Sequence, residues 1–159
     1  MSPKRILDLG SAGGEIAERI LEIPVNHEFT CVEGHYPSHS AGIERLAKFG
    51  SRAKTHHLDL SASNAIESLS NLVGARTDVV LLLGLLHHLE KVSIASSDSI
   101  IRFVLSLGPE HIFFRGTESS EQRFREIAGA RGYELQGFFP SSNVNPLLHF
   151  RSAEVLIPH

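Results

Sequence analysis

The sequence predicts an α/β fold in which helices cover both faces of a mostly parallel sheet. Short apolar stretches alternate with amphipathic ones along the chain, and the segment Asp78 to Leu86 is nearly all Val and Leu, the pattern of a central parallel strand. Arg5 to Glu15, RILDLGSAGGE, runs from an apolar stretch through three glycines into helical spacing. A strand, a glycine turn and a helix in that order predict a ligand-binding loop at the carboxyl edge of the sheet.

Composition favours one globular domain spanning residues 1–159. The chain is 42% apolar and 21% charged, and its net charge of −3 gives no overall attraction to nucleic acid or to an anionic membrane. The single cysteine, Cys31, cannot form an internal disulfide, which fits a reducing compartment. Residues 1–5 lead directly into the first strand without a signal peptide, and the longest apolar run is too short to cross a bilayer. We therefore expect a cytoplasmic protein with no N-terminal cap on its single domain.

Five strand–helix units are predicted in order, and each helix has a start or stop signal. The strands after the first are Phe29–Glu33, Thr55–Leu60, Asp78–Leu86 and His111–Phe114. The helices begin near Ile16, at Ser40, after Ser63 or Asn64, at Ser97 or Asp98, and after Ser119 or Ser120; they end near Pro24, Phe49, Gly74, Gly108 and Gly132. Ser, Asn and Asp favour helix starts, whereas Gly and Pro favour helix ends.

The end of the chain has a different pattern. Leu135–Phe139 and Phe150–Ile157 are two predicted strands joined by a loop that contains no helix. Strands joined without a crossover should be antiparallel. The sequence therefore predicts a terminal hairpin after the five strand–helix units.

The glycine spacing after the first strand separates two classes of cofactor. The dinucleotide fingerprint requires glycines at positions one, three and six, where this chain has Gly10, Ala12 and Glu15. The stretch resembles motif I of the class I S-adenosylmethionine-dependent methyltransferases, an acidic residue followed by glycines at alternate positions. Asp8, Gly10, Ala12 and Gly14 stand in those places, and Ala12 is the one departure from the motif.

The resemblance covers essentially the whole chain and implies both a fold and a cofactor. The implied fold is Rossmann-like, with a seven-stranded, mostly parallel sheet of order 3-2-1-4-5-7-6, an antiparallel last strand and helices on both faces. The implied cofactor is S-adenosyl-L-methionine, which leaves as S-adenosyl-L-homocysteine. The cofactor-binding residues that it implies are Asp8, Gly10, Ser11, Ala12, Gly14, Glu33, Gly34, Asp59, Leu60 and Gly84.

Two carboxylates at strand ends have specific roles in this resemblance. Glu33 would accept hydrogen bonds from both ribose hydroxyls, because a carboxylate offers two oxygens to two adjacent donors. Asp59 would lie near the adenine amino group, and Leu60 beside it would supply main-chain and apolar contacts. Asp59 is equally well suited to forming a turn or a helix cap, so both interpretations stay open.

The segment after the fourth strand, LLLGLLHHLEK, resembles the His-His-Leu stretch of many small-molecule methyltransferases. Gly84, His87 and His88 would then lie beside the methionine part of the cofactor and the incoming acceptor. Methyl transfer needs alignment and a nucleophile with a free lone pair, and a neutral histidine can take the proton of a hydroxyl or an amine. His87 and His88 are both candidates for this base, and a structural role for either is the alternative.

No metal site is expected, although the chain holds 10 histidines. His35 and His39 have i, i+4 spacing, but the Tyr-Pro between them argues against a continuous helix. The pairs 56–57 and 87–88 fall on predicted strands, where neighbouring side chains point to opposite faces. No Cys-x-x-Cys or His-Glu-x-x-His pattern is present, so the sequence does not predict bound metal.

The leading hypothesis is a methyltransferase that acts on an unidentified O or N nucleophile. The alternatives are a catalytically silent cofactor-binding module acting as a partner or regulatory subunit, a nicotinamide oxidoreductase, which the failed fingerprint disfavours, and a structural α/β domain. The motif of amino-directed DNA methyltransferases is absent, so nucleic acid is not favoured as the acceptor.

The rim of the predicted site has few elements to cover it. Arg115, Thr117 and Glu118 follow strand five and either face the acceptor or form an exposed loop. The loop Pro140–His149, with Asn143 and Asn145, is the one sizeable element left over the site. We therefore expect a large acceptor, a partner subunit or self-association of this chain to cover the site.

Overall fold

The structure is a computed structural model that describes residues 2–74, 76–141 and 145–153. This part of the chain contains seven strands and six α-helices, one helix more than predicted, because two helices rather than one connect the fourth and fifth strands. The strands are β1 Arg5–Leu9, β2 Glu28–Glu33, β3 Ala53–His57, β4 Val79–Leu83, β5 His111–Arg115, β6 Tyr133–Phe139 and β7 Leu147–Ser152. The helices are α1 Glu15–Leu21, α2 Tyr36–Leu46, α3 Ala65–Leu72, α4 Leu86–Val92, α5 Ile94–Ser106 and α6 Glu118–Gly129, and a 3₁₀ segment, Ala47–Arg52, follows α2.

The sheet has the order β3-β2-β1-β4-β5-β7-β6. Strands β1 to β5 pair in parallel, and β7 is antiparallel to both β5 and β6. The predicted fold class, strand order and terminal hairpin are therefore confirmed. Within the described residues, no helix combines the length and apolarity that a membrane span requires.

The sheet separates two hydrophobic cores, because successive side chains on a strand point to opposite faces. Val80 and Leu82 of β4 join the larger core, which also contains residues of α3, α4, α5 and α6. Val79 and Leu81 of the same strand join the smaller core, beneath α1 and α2. Helices therefore cover both faces, and the carboxyl ends of the parallel strands meet at one edge.

The predicted strand Asp78–Leu86 ends at Leu83, three residues early. Gly84 adopts a φ of 86°, a left-handed conformation that strands do not contain and that glycine adopts at little cost. Helix α4 begins two residues later, and its Leu86 and Leu89 are buried in the larger core. The prediction that His87 and His88 lie on a strand was therefore wrong, since both belong to the first turn of a helix.

Helix α2 begins at Tyr36, four residues before the predicted start. His35 is its N-cap and Pro37 lies in its first turn, where the missing N–H of proline has no helical partner to lose. The His39 N–H donates to the His35 carbonyl at 3.0 Å. The argument that Tyr-Pro prevents a helix between these two histidines was therefore wrong.

Other element boundaries also differ from the predictions. Strand β3 ends at His57, which leaves Asp59 in the following loop. Ser93 caps α5 and Thr117 caps α6, each with a side-chain oxygen that accepts a backbone N–H, so both helices start earlier than predicted. Strand β7 begins at Leu147, and its predicted end at Ile157 lies outside the described residues, as does Asn143 of the hairpin loop.

Candidate functional site

The carboxyl edge of the sheet contains a cavity of about 480 Å³. Its walls come from the loops after β1, β2, β3 and β4, from the first turn of α2 and from α4. The lining residues are Gly10, Ala12, Glu33, Gly34, His35, Ser38, Asp59, Leu60, Ser61, Leu83, Gly84, Leu85, His88, Leu89 and Val92. The structure therefore brings the strand ends identified in the sequence together around one space.

The loop after β1 is built from left-handed residues. Gly10 and Gly14 both have a φ of 77°, and Gly14 is the N-cap of α1. Ala12, at the position of the middle glycine, has a φ of 47°, which is strained for a residue with a Cβ. The backbone of this loop thus keeps a glycine-type conformation at the one position that departs from the motif.

Glu33 connects this loop to the end of β2. Its Oε2 accepts a hydrogen bond from the Ala12 N–H at 2.8 Å, and its Oε1 accepts one from the His35 N–H at 2.7 Å. Each carboxylate oxygen has room for a second donor. The two bonds fix the carboxylate on the cavity wall, where it can still accept hydrogen bonds from a ligand.

Asp59 lines the cavity and also forms a turn. Its Oδ1 accepts hydrogen bonds from the Ser61 N–H at 2.8 Å and from the Ser61 hydroxyl at 2.6 Å. These bonds hold the pKa of Asp59 below its ordinary value. The turn interpretation of Asp59 is thus seen in the structure, and its position on the wall leaves a ligand contact open as well.

Asp8 lies beneath the cavity rather than on its wall. Its exposure is only 3%, and burial, followed by the charge of Glu33, raises its pKa to about 7. Its partner in the β1–β2 register is Cys31, a thiol whose pKa burial and Asp8 raise to about 12. Ser11 and Gly14 are also absent from the described lining, so for these three residues cofactor contact stays a prediction.

The two histidines of α4 occupy different environments. His88 is exposed and lines the cavity, whereas His87 is half-buried. The two ring centroids lie 3.9 Å apart, and the His87 Cε1 lies 3.9 Å from where a Cβ on Gly84 would be. Burial lowers the pKa of His87, and His88 and Lys91 lower it further against the opposing effect of Glu90. The His87 ring is therefore neutral near pH 7 and able to accept a proton.

Seven lining residues were not predicted from the sequence: His35, Ser38, Ser61, Leu83, Leu85, Leu89 and Val92. All but Ser61 and Leu83 lie in α2 or α4 or directly before them, and these are the two helices whose beginnings were misplaced or missed. The i, i+3 spacing of Leu86 and Leu89 was the available signal for α4. If Gly84 had been recognised as the end of the strand, the spacing of Leu86 and Leu89 would have predicted a separate helix.

A metal is not indicated by the described residues, which contain no group of three or more His, Cys, Asp or Glu side chains arranged to hold an ion. His39 and His57 have ring centroids 5.4 Å apart, but the His57 Nε2 is engaged with the Gly34 carbonyl at 2.9 Å. The absence of metal stays a prediction.

Comparison with known proteins gives a result at the level of structure. No family model matches the sequence, and no curated protein matches it. Among solved structures, a candidate RNA methyltransferase from Pyrococcus horikoshii matches 95% of this chain and 74% of its own, with 16% identity and a TM-score of 0.68. A TehB-like S-adenosylmethionine-dependent methyltransferase from Corynebacterium glutamicum matches 96% of this chain and 81% of its own, with 14% identity and a TM-score of 0.66. The chain has the class I methyltransferase fold.

The same methyltransferase fold occurs within longer proteins. Mitomycin 7-O-methyltransferase MmcR matches over 95% of this chain, with 15% identity and a TM-score of 0.67, but the chain spans only 49% of MmcR. At these identities the likeness concerns the fold, and function has to be argued from the residues of the site.

Proposed function

We propose that this chain is an S-adenosylmethionine-dependent methyltransferase that transfers the methyl group to an O or N nucleophile. The observation that carries the proposal is the cavity, which joins the left-handed loop after β1 to the carboxylate that ends β2. The class I methyltransferase fold places this cavity where open α/β sheets bind their ligands. No observation on the described residues favours a silent binding module over an enzyme.

The cavity wall fits such a cofactor. A Cβ on Gly10 would lie 3.3 Å from the Leu85 Cβ, and a Cβ on Gly34 would lie 3.3 Å from the Leu58 carbonyl oxygen. Glycine at both positions therefore lets the segments that form the wall pack closely against each other. In the proposal, Glu33 holds the ribose hydroxyls, while Leu60 and the turn at Asp59 contact the adenine.

The cofactor supplies an activated methyl group on a sulfonium, and the residues around Gly84 supply alignment and a base. With the cofactor bound, its sulfonium would supply the methyl group to the acceptor atom, and an imidazole nitrogen of this chain would take the acceptor proton. We assign this proton to His87, because its ring is neutral and lies beside Gly84. His88 forms part of the cavity wall.

Calorimetry with S-adenosylhomocysteine tests the proposal. We expect saturable binding with one site per chain, and Glu33→Ala should weaken that binding by about 1–3 kcal/mol, the usual effect of losing a charged hydrogen-bonding partner. Glu44→Ala is the matched control, because Glu44 is an exposed carboxylate on α2 outside the cavity lining. Equal binding by wild type and the Glu33 variant, or tighter binding of NAD, would contradict the assignment.

A further inference from the structure

Arg115 ends β5 directly beside the cavity wall. It is the register partner of Leu83 in the β4–β5 pair, and its carbonyl accepts a hydrogen bond from the Gly84 N–H at 2.8 Å. Leu83 and Gly84 both line the cavity. Because paired residues on neighbouring strands point to the same face of a sheet, the side chain of Arg115 lies next to that of Leu83.

The guanidinium of Arg115 has no partner among the described residues. Its Nε is buried without a hydrogen bond, and no carboxylate forms an ion pair with it. Three other described arginines without a recorded partner, Arg19, Arg102 and Arg131, are all exposed, so water serves their donors. Arg115 is half-buried, and a buried donor left without a hydrogen bond is unfavourable.

The end of β5 is tightly packed, which holds Arg115 in place. A Cβ on Gly116 would lie 2.6 Å from the Phe114 Cζ and 3.1 Å from the Ser120 Cβ, so the turn after Arg115 has no room for a side chain. Phe113, two residues earlier on the same face, stacks on His149 with ring centroids 4.7 Å apart. Arg115 and this aromatic pair therefore lie on the same face of the sheet.

We infer that Arg115 binds an anionic group, a carboxylate or a phosphate, on the methyl acceptor. The inference rests on the proposed function and names the class of acceptor: an acid that carries its nucleophilic O or N apart from the charged group. A guanidinium presents a planar pair of donors that matches two anionic oxygens. Held there, the acceptor lies across the ends of β4 and β5, with its reacting atom towards Gly84 and His87.

Nuclear magnetic resonance of the arginine Nε–H groups tests this inference. The protein is titrated with benzoate, phenyl phosphate and neutral benzamide, with and without saturating S-adenosylhomocysteine. We expect the Arg115 Nε–H signal, assigned by its loss in Arg115→Gln, to shift saturably with an anion and not with benzamide. A stronger response to benzoate or to phenyl phosphate distinguishes a carboxylate from a phosphate acceptor.

Two variants separate binding by Arg115 from general charge effects. Arg115→Gln should weaken binding of the preferred anion at least about tenfold, as expected for a lost charged hydrogen bond. Arg102→Gln removes an exposed, unpartnered arginine of α5 and should change nothing. Arg115→Lys keeps the charge without the planar pair of donors and should fall in between, and the wild-type titration still decides if Arg115→Gln does not fold.

Three results would overturn the inference: no saturable shift at Arg115, an equal shift with benzamide, or equal shifts at exposed arginines. Calorimetry with S-adenosylhomocysteine reports separately on the proposed function. If S-adenosylhomocysteine binds and the Arg115 Nε–H signal does not shift with either anion, only the proposed class of acceptor is wrong. If the cofactor product fails to bind, the proposed function is wrong, and the titration without it still shows whether Arg115 forms an anion site.

Discussion

The buried carboxyl group of Asp8 ties the stability of this chain to pH. The folded state holds its proton up to a pKa of about 7, against an ordinary value of 3.8. Between these values the folded state binds more protons than the unfolded state. The contribution of Asp8 to the free energy of unfolding therefore falls as the pH rises from about 4 to about 7.

Replacing Asp8 by Asn should remove this dependence. We expect Asp8→Asn to gain stability over wild type by roughly 2 kcal/mol more at pH 8 than at pH 5, since each unit of pKa shift corresponds to about 1.4 kcal/mol. Urea unfolding of the ligand-free protein at both pH values measures this difference. Glu44→Gln, at an exposed site, should show no such change; a pH-independent effect of Asp8→Asn would mean that Asp8 is already ionised when folded.

At the scale of elements, α4 determines what its two histidines can do. Leu86 and Leu89 fix the helix in the larger core, and the Ser120 hydroxyl of α6 donates to Glu90 at 2.8 Å. These contacts leave His88 exposed on the cavity wall and His87 half-buried next to Gly84. The two adjacent histidines are therefore expected to contribute differently to catalysis.

Alanine variants of the pair test this division. His87→Ala should lower turnover by roughly two to four orders of magnitude, the usual contribution of a general base, with little change in the affinity for S-adenosylhomocysteine. His88→Ala should mainly change that affinity. Product formation with the first hydroxyl or amine acceptor found to react, together with calorimetry, measures both quantities. If His87→Ala folds, binds and turns over normally, the role of His87 is structural.

Local sequence pattern predicted the elements well and their ends less well. Apolar periodicity and helix caps are local signals, so the sequence itself predicted five strand–helix units and a terminal hairpin. The order of the strands in the sheet was implied only by the resemblance to class I methyltransferases. The break at Gly84 was missed, because LLLGLLHHL is apolar on both sides of it and a glycine within an apolar run does not by itself show whether its φ is positive. The missed lining residues Leu85, Leu89 and Val92 follow from that one boundary.

The sequence could indicate which residue types belong to the site. It could not indicate whether a side chain lies on the cavity wall or is buried beneath it. Glu33 and Asp59 fall on the cavity wall, whereas Asp8, equally part of the motif, lies beneath it. The hydrogen bond from the Ala12 N–H to Glu33 and the turn at Asp59 both depend on the conformation of loops, which local sequence patterns do not determine. That Arg115 finds no partner among residues 2–74, 76–141 and 145–153 depends on the packing of several elements, which no local pattern contains.

At the scale of the whole molecule, apolar side chains around the cavity remain exposed. Val92, which lines the cavity, is 67% exposed; Tyr36, next to the lining residue His35, is 66% exposed, and Ile94 is 54% exposed. Exposed apolar groups gathered at one site are typical of surfaces that another molecule covers. These exposures support the proposal that a large acceptor, a partner or a second copy covers this opening.

Light scattering over a range of dilutions tests the case of a second copy. If this chain covers its own site, the measured mass and the activity on a small acceptor should fall together on dilution. Val92→Lys should then prevent association, because it places a charge in the contact. Ile43→Lys, at a 48% exposed position on α2 away from the lining, is the control. A monomer at all concentrations that is fully active on a small acceptor would exclude any need for a cover.

The outer strand of the sheet has a different consequence, which concerns solubility. Strand β6 pairs with β7 on one side, and no described strand lies beyond it. Its Leu135, Phe138 and Phe139 are 38%, 57% and 51% exposed, and its one charged residue is Glu134. An apolar edge with open backbone donors and acceptors is a template for adding strands from other chains. Concentrated solutions of the protein should therefore aggregate through this edge. Phe138→Lys should reduce the aggregation, because a charged side chain on an edge strand disfavours the addition of further strands.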